Sequence, residues 1–379
     1  MEFSPEIYSL VVAFVRSRND ICTLCRVSKG FQRAAERALY NTLHMTVPNK
    51  SVALCNLLND QPRFPPLVSA LTISLRGIEL SSEDSNDSVD DSTSSLPPDY
   101  WECVARALRS TTHLRFLSIY LGTGMDPKVA WILDGCIFQL QMFHCDMAWD
   151  DALVSFLSHQ HRLSDLHVAD FNNEDTTNTV SISHHPLRQA HVLPRLSFLE
   201  CGFPEVVNIL VPRRPVTHVK SCFSRPDVPG KREELALLLN SLRSSSQALR
   251  ALNIADSSYT DSFSQEFLPR IVSAFAPDPT LRYVGPLVLP VDGRQRLAFY
   301  SCLRRLSQLR ATELEVSDWE PPPTSFAAMR ALASELHMYC PSVNVVVFSR
   351  NFESKVLMSV DGLWRMDEET TADLIWREV

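Results

Sequence analysis

The segment Leu114-Arg115-Phe116-Leu117-Ser118-Ile119 places apolar side chains at its first, fourth and sixth positions. Its second half alternates in the period of a strand that buries one face. The same apolar-x-x-apolar-x-apolar pattern recurs as Val68-Leu71-Ile73, Ile137-Leu140-Met142, Leu163-Leu166-Val168, Leu196-Leu199-Cys201, Val216-Val219-Ser221 and Leu249-Leu252-Ile254. Looser copies are Leu281-Val284, Ala311-Leu314-Val316 and Cys340-Val343-Val345. Their starts lie about 20 to 46 residues apart, within the window of roughly 20–50 that marks stacked supersecondary repeats.

Between these predicted strands run amphipathic stripes at helical spacing. Trp101, Val104, Ala105 and Leu108 form one, and Leu235, Leu238, Leu239 and Leu242 another. Ile271, Val272 and Phe275, then Leu297, Phe299, Leu303 and Leu306, then Phe326, Met329, Leu332, Ala333 and Leu336 continue the series. Strand, turn and helix in repetition give parallel strands with helices on one side. Each unit can bury its apolar face only against its neighbours, so the expected fold is α/β, an irregular solenoid with outer helices.

Outside that rhythm the chain reads differently. Residues 5–43 read as three short helices. Pro5 and Glu6 open the first, with Ile7, Leu10, Val11 and Phe14 as its stripe. Asp20 is expected to cap the second, with Ile21, Leu24, Cys25 and Val27 inward, and Ser28 the third, with Phe31, Ala34, Ala35, Ala38 and Leu39 inward. The domain division is 1–45 for this helical unit and 46–379 for the solenoid. Residues 81–98 are Ser/Asp-rich and end in Pro97-Pro98, the composition of a disordered insertion. Residues 172–195 lack periodicity and read as a long loop. Lys355–Val360 is expected to pair back antiparallel, and the stretch 349–379, with Trp364, Ile375 and Trp376, to cap the open end of the solenoid.

The composition narrows the function. Of 379 residues 10 are Gly and 24 Pro, with 45% hydrophobic and a formal charge of -8. Few glycines argue against phosphate-cradling loops, which need positive φ or close backbone approach. No G-x-x-x-x-G-K-S/T, G-x-G-x-x-G, G-x-S-x-G or H-E-x-x-H motif occurs. The acidic balance disfavours nucleic acid and anionic membrane as partners. Ten Cys without a signal-peptide pattern point to a reducing compartment, cytoplasm or nucleus. Cys22-x-x-Cys25 has no second pair at zinc spacing and reads as core cysteines. His184-His185 is a weak metal pair, and Asp150, beside Asp151, reads as a helix N-cap. Ser81 and Ser88 each have an acid three residues on, a context an acidophilic kinase could use. The expectation is no cofactor, no metal and no catalytic residue, so not an enzyme.

The first 43 residues resemble an F-box. Phe3-Ser4-Pro5-Glu6-Ile7, Asp20-Ile21 and Val27-Ser28-Lys29-Gly30-Phe31 stand at the family's entry segment, second helix and third-helix start. Phe3 and Ser4 replace the family's usual Leu and Pro. The remainder resembles a divergent leucine-rich-repeat array, in which only Cys145 falls at the offset of the turn-closing Asn or Cys. The resemblance implies a substrate-recognition adaptor of a cullin–RING ubiquitin ligase, non-catalytic, acting by proximity. Carried over position by position, it puts docking on the ligase adaptor subunit at Pro5, Ile7, Leu10, Ile21, Leu24, Val27 and Phe31. An unknown target protein would sit on the concave strand face, with Phe116, Tyr120, Asp165, His167, His218, Lys220, Glu313 and Glu315 as its contacts. The alternatives are an interaction scaffold without ligase docking and, more remotely, an enzyme with a site in the 172–195 loop.

Overall fold

The computed structural model describes residues 3–75, 96–122, 124–169, 185–258, 261–275, 280–351 and 353–379. Most of the acidic insertion, with Ser81 and Ser88, and residues 172–184 of the long loop, with His184, lie outside them. The described chain is mixed α/β and falls into two compact units, Met1–Thr179 with His191–Pro194, and Val180–Ala190 with Arg195–Val379. No helix among the described residues is long and apolar enough to cross a membrane.

The first unit opens with helices α1 (Pro5–Phe14), α2 (Arg18–Leu24) and α3 (Lys29–Tyr40). It continues through strand β1 (Thr42–Met45), α4 (Pro48–Asp60), β2 (Ala70–Ser74), α5 (Tyr100–Ser110), β3 (Phe116–Tyr120), β4 (Met142–Cys145), α6 (Asp151–Ser158) and β5 (Asp165–Val168). The strands pair in parallel in chain order without a register shift. Leu43, Met45, Leu71, Ile73, Leu117, Ile119, Phe143, Cys145, Leu166 and Val168 are buried on one face, and the alternate residues form an open face. Alternation at period 2 is what sorts them.

Three details differ from the sequence expectation. Strand β1 precedes the first expected repeat, although Tyr40-x-x-Leu43-x-Met45 carries the same spacing. In β4 the phase is Leu140-x-x-Phe143-x-Cys145: Ile137 is exposed and Met142 lies on the open face. The run Ile137, Phe138, Leu140, Met142, Phe143 is apolar in both phases, so hydrophobicity alone does not fix which set turns inward. Cys145 is then the last inward residue of the strand rather than a residue beyond it, and is fully buried. The Asp150 side chain does cap α6, accepting from Leu153 N at 2.8 Å.

The second unit holds β6 (Phe198–Cys201), α7 (Pro204–Leu210), β7 (His218–Cys222), α8 (Val228–Arg243), β8 (Ala251–Ala255), α9 (Asp261–Phe275), β9 (Tyr283–Val288), α10 (Gly293–Leu303), β10 (Ala311–Glu315), α11 (Phe326–Tyr339), β11 (Val345–Arg350), β12 (Glu353–Val360), β13 (Leu363–Asp367) and α12 (Ile375–Glu378). Strands β6 to β11 run parallel, while β12 and β13 turn back antiparallel, as expected for 355–360. The later repeats are again one phase off. Leu309-x-x-Thr312-x-Leu314 and Val343-x-x-Val346-x-Phe348 face the helices, so Ala311 and Val345 face the other way.

Buried polar groups pin this unit. The Arg214 guanidinium, wholly buried, donates to the carbonyls of Leu210 (2.8 Å), Ile209 (3.2 Å), Gln189 (3.2 Å) and Leu187. Burial pulls its pKa down to about 10, so it stays charged at neutral pH. It ties the Leu187–Gln189 segment to the end of α7, where the exposed helix carbonyls favour a cation.

The 349–379 stretch does more than cap an end. Trp364, on β13, meets the His337 ring of α11 edge-on at 5.9 Å, on the helix side. Ile375 and Trp376 lie on the opposite face of the sheet, in one buried cluster with Ala251, Tyr283, Ala311, Val347 and Val356. Strands β12 and β13 extend the sheet beyond β11, but Ile375 and Trp376 cover the face of β8 to β12 and not the open end. A short apolar segment can cover any apolar surface within reach, and residues of β8 to β12 supply one.

Candidate functional site

Two surfaces carry the candidate residues. The first is the outer side of α1. The helical unit builds its own core from Val12, Ile21 and Ala35, with Val15, Leu24, Cys25, Phe31, Ala34 and Leu39 packed around them. Tyr8 completes it, edge-on to Phe31 at 4.8 Å. Its ring lies over Gly30, where a Cβ would stand 2.4 Å from Tyr8 Cε2, so only glycine lets α1 approach α3 this closely. Ser17, rather than Asp20, caps α2, accepting from Asp20 N at 3.4 Å, and Ser28 caps α3 as expected, accepting from Phe31 N at 3.3 Å.

Because Tyr8 and Val12 face the core, the stripe Ile7, Leu10, Val11 and Phe14 faces solvent, at 44%, 59%, 40% and 79% exposure. Of the residues assigned to adaptor docking, Pro5, Ile7, Leu10 and Val27 are exposed, Leu24 and Phe31 are half-buried and Ile21 is buried. Val27 was expected inward and is not, and Ala38 is likewise exposed. Val11 and Phe14, outside the assigned set, belong to the exposed stripe. Beside it, Phe3, Pro5, Tyr8, Lys29, Arg33 and Arg37 line an open groove of about 500 Å3. Its basic residues recur every four positions along α3, one helix face. Cys22 is exposed rather than a core residue, Cys25 is half-buried, and no second thiol is bonded to either.

The second surface is the open strand face. In the first unit, register brings His44, Thr72, Ser118, His144 and His167 into one lateral row, and Thr42, Ala70, Phe116, Met142 and Asp165 into the next. His144 Nε2 lies 3.3 Å from Asp165 Oδ1, and its ring meets that of His167 at 5.5 Å. Phe116, Tyr120, Asp165 and His167 thus sit together on an accessible face, as expected. His44 and His144 join them, hidden from the sequence reading by the missed β1 and the misphased β4.

Of the other four expected target contacts, Lys220 and Glu315 are half-buried on the open face of the second unit, whereas His218 and Glu313 are enclosed. His218 is buried, stacked on Phe198 at 4.2 Å, with Nε2 3.3 Å from the Val379 carbonyl. Burial lowers the His218 pKa, which keeps the ring neutral. Lys220 is paired with Glu200 at 3.1 Å, and Glu315 accepts from Ser317 N at 2.8 Å. Glu313 lies beneath the covering segment, where its Oε2 accepts from Tyr283 OH at 2.9 Å and Asn253 Nδ2 at 3.3 Å.

Burial raises the Glu313 pKa above its ordinary 4.5, against the pull of the Tyr283 hydrogen bond and Lys220, with Asp373 adding to the rise. A carboxyl held up in the folded state contributes stability fully present below the unfolded pKa and lost as pH rises through the folded one. Wild type should therefore lose stability relative to Glu313→Gln as pH increases from 4.5. Urea midpoints of both proteins between pH 4.5 and 8 measure it, and parallel curves would refute it. Gly285 of β9 lies against Glu313 of β10, where the register shifts; a Cβ there would stand 2.6 Å from that of Glu313.

Among the described residues no group of His, Cys, Asp or Glu has metal-holding geometry. His185 instead accepts from Leu187 N at 3.3 Å, capping the short helix Pro186–Arg188. A pocket of about 650 Å3 opens beside α9 and α10, lined by Leu268, Pro269, Leu289, Phe299, Cys302 and Asp292 among others. Of its two lining carboxylates, Asp292 and Asp318, the first is engaged in capping α10, and burial pushes the Cys302 thiol up, away from the thiolate. No protein-family model matches the chain, and no curated protein matches it.

Proposed function

We propose that this chain is an F-box-like, non-catalytic adaptor. The outer face of α1 docks on the adaptor subunit of a cullin–RING ubiquitin ligase, and the open strand face holds a target protein for ubiquitin transfer. One observation carries this reading. Four large apolar side chains line up on solvent at the surface of a helical unit that already has a core of its own. A contiguous exposed apolar stripe is a docking surface in want of a partner helix. The basic groove at Lys29, Arg33 and Arg37 suits a partner helix with an acidic flank.

A scaffold without ligase docking is the second reading. It is favoured by Phe3 and Ser4 at the entry segment and by Ile21, which is committed to the internal core. Affinity purification of the tagged chain from cells, against an Ile7→Asp, Leu10→Asp variant, separates the two. Both positions are exposed, so the variant keeps its fold. Wild type should co-purify cullin and adaptor subunits, and the variant should lose them at least tenfold, about 1.4 kcal/mol or more of binding. Equal recovery, or none with either, favours the scaffold.

A further inference from the structure

Residues 375–379 occupy the open face of the second unit in the manner of a bound peptide. Strands β8, β9 and β10 align Ala251, Tyr283 and Ala311 in one row, and this small–large–small floor holds the apolar side chains of Ile375 and Trp376. The Arg377 guanidinium donates to Glu200 Oε2 at 2.8 Å and lies 5.9 Å from the Phe198 ring centroid. The Val379 carbonyl lies 3.3 Å from His218 Nε2. An apolar residue and an aromatic thus share one floor of the sheet, and the arginine after them is held by a separate part, Glu200 and Phe198.

The segment does not hold this shape by itself. Helix α12 has four residues, far below the length at which a helix persists in water. Glu368 and Glu369, between β13 and this segment, are exposed. The fit is also incomplete. Trp376 Nε1 and Asn253 Oδ1 are both buried without a hydrogen-bond partner. An unpaired buried donor and acceptor weaken the contact, and a segment that paired them would bind the same floor better.

We propose that the open face of β6–β12 is a groove for partner-protein segments that present an apolar residue, an aromatic and an arginine in succession, and that residues 375–377 fill it in cis until such a segment displaces them. The proposal rests on the strand face being the target surface, and it is independent of ligase docking by α1. Tethering to β13 gives the cis segment an effective concentration in the millimolar range, so a free peptide competes poorly against the intact chain.

The test uses a fluorescein-labelled peptide of residues 371–379 and the full chain in three forms: wild type, Ile375→Asp, and a chain with a protease site replacing 368–370, cut after folding. The Ile375→Asp chain, and the cut chain by exchange, should bind the peptide at least ~10-fold more tightly than wild type, read by fluorescence anisotropy. A peptide carrying Arg377→Glu should lose that binding. If Ile375→Asp proves unfolded by circular dichroism, the cut chain decides alone. No binding to the cut chain, or equal binding of the Arg377→Glu peptide, overturns the proposal. Wild-type dimers in sedimentation that dissociate on adding the peptide would also overturn it, since a second copy would then be the occupant.

Discussion

Replacing Lys231 by alanine is expected to destabilise the second unit by about 3–5 kcal/mol, the cost of leaving a buried charge without its partner. Lys231 is wholly buried near the start of α8. Its ammonium donates to both oxygens of Asp256, at 2.7 and 2.8 Å, and to the Ser258 carbonyl. The Phe263 ring centroid is 5.6 Å away. Without Lys231, the Asp256 carboxylate keeps, among the described residues, only the Ser258 N–H at 2.9 Å, in a buried site. The double replacement Lys231→Met, Asp256→Leu removes both charges and should recover most of the loss, because neither ion then remains buried alone. Urea unfolding of the three proteins measures this; a single-variant cost under about 1 kcal/mol would place the pair among the weak surface bridges instead.

The Trp376→Ala variant should lose about 3–5 kcal/mol if the cluster around it behaves as a core. Truncation empties the largest fully buried side chain of the molecule from between Ala251, Tyr283, Ala311, Val347 and Val356. Its other consequence is local. With the indole gone, Ile375 alone faces the floor, and residues 372–379 should exchange their amide hydrogens fast while β8 to β11 stay protected. Hydrogen-exchange mass spectrometry distinguishes that release from general unfolding. Unchanged protection at 372–379 would show that Arg377 and Val379 hold the segment without the aromatic. The indole N–H has no partner to lose, so the cost comes from burial, from the cavity and from the Arg377 guanidinium 4.5 Å from the ring centroid.

The repeat architecture was legible in the sequence because one buried strand face imposes period-2 alternation that helices do not share. Leu117 and Ile119, Leu166 and Val168, and Leu252 and Ile254 all turn inward as read. Phase was lost where both faces are apolar. Ala311 and Val345 look like inward residues because the face they line is itself covered by residues 375 and 376, a contact no local pattern encodes. The same long-range cover encloses His218 and Glu313, whereas Phe116 and Asp165 lie on the open strand face of the first unit. In the helical unit the stripe Ile7, Leu10, Val11, Phe14 was visible, but its direction was not. That depends on Tyr8 packing over Gly30, a fit of shapes between two helices rather than a periodicity.

The ligase reading turns on whether the α1 face binds the adaptor subunit directly. Isothermal titration of the purified full-length chain with purified adaptor–cullin complex is the decisive measurement. A one-to-one complex at micromolar affinity or tighter, abolished by Ile7→Asp with Leu10→Asp, is the expected result. No heat of binding from a wild-type chain that keeps its helical circular dichroism would contradict it.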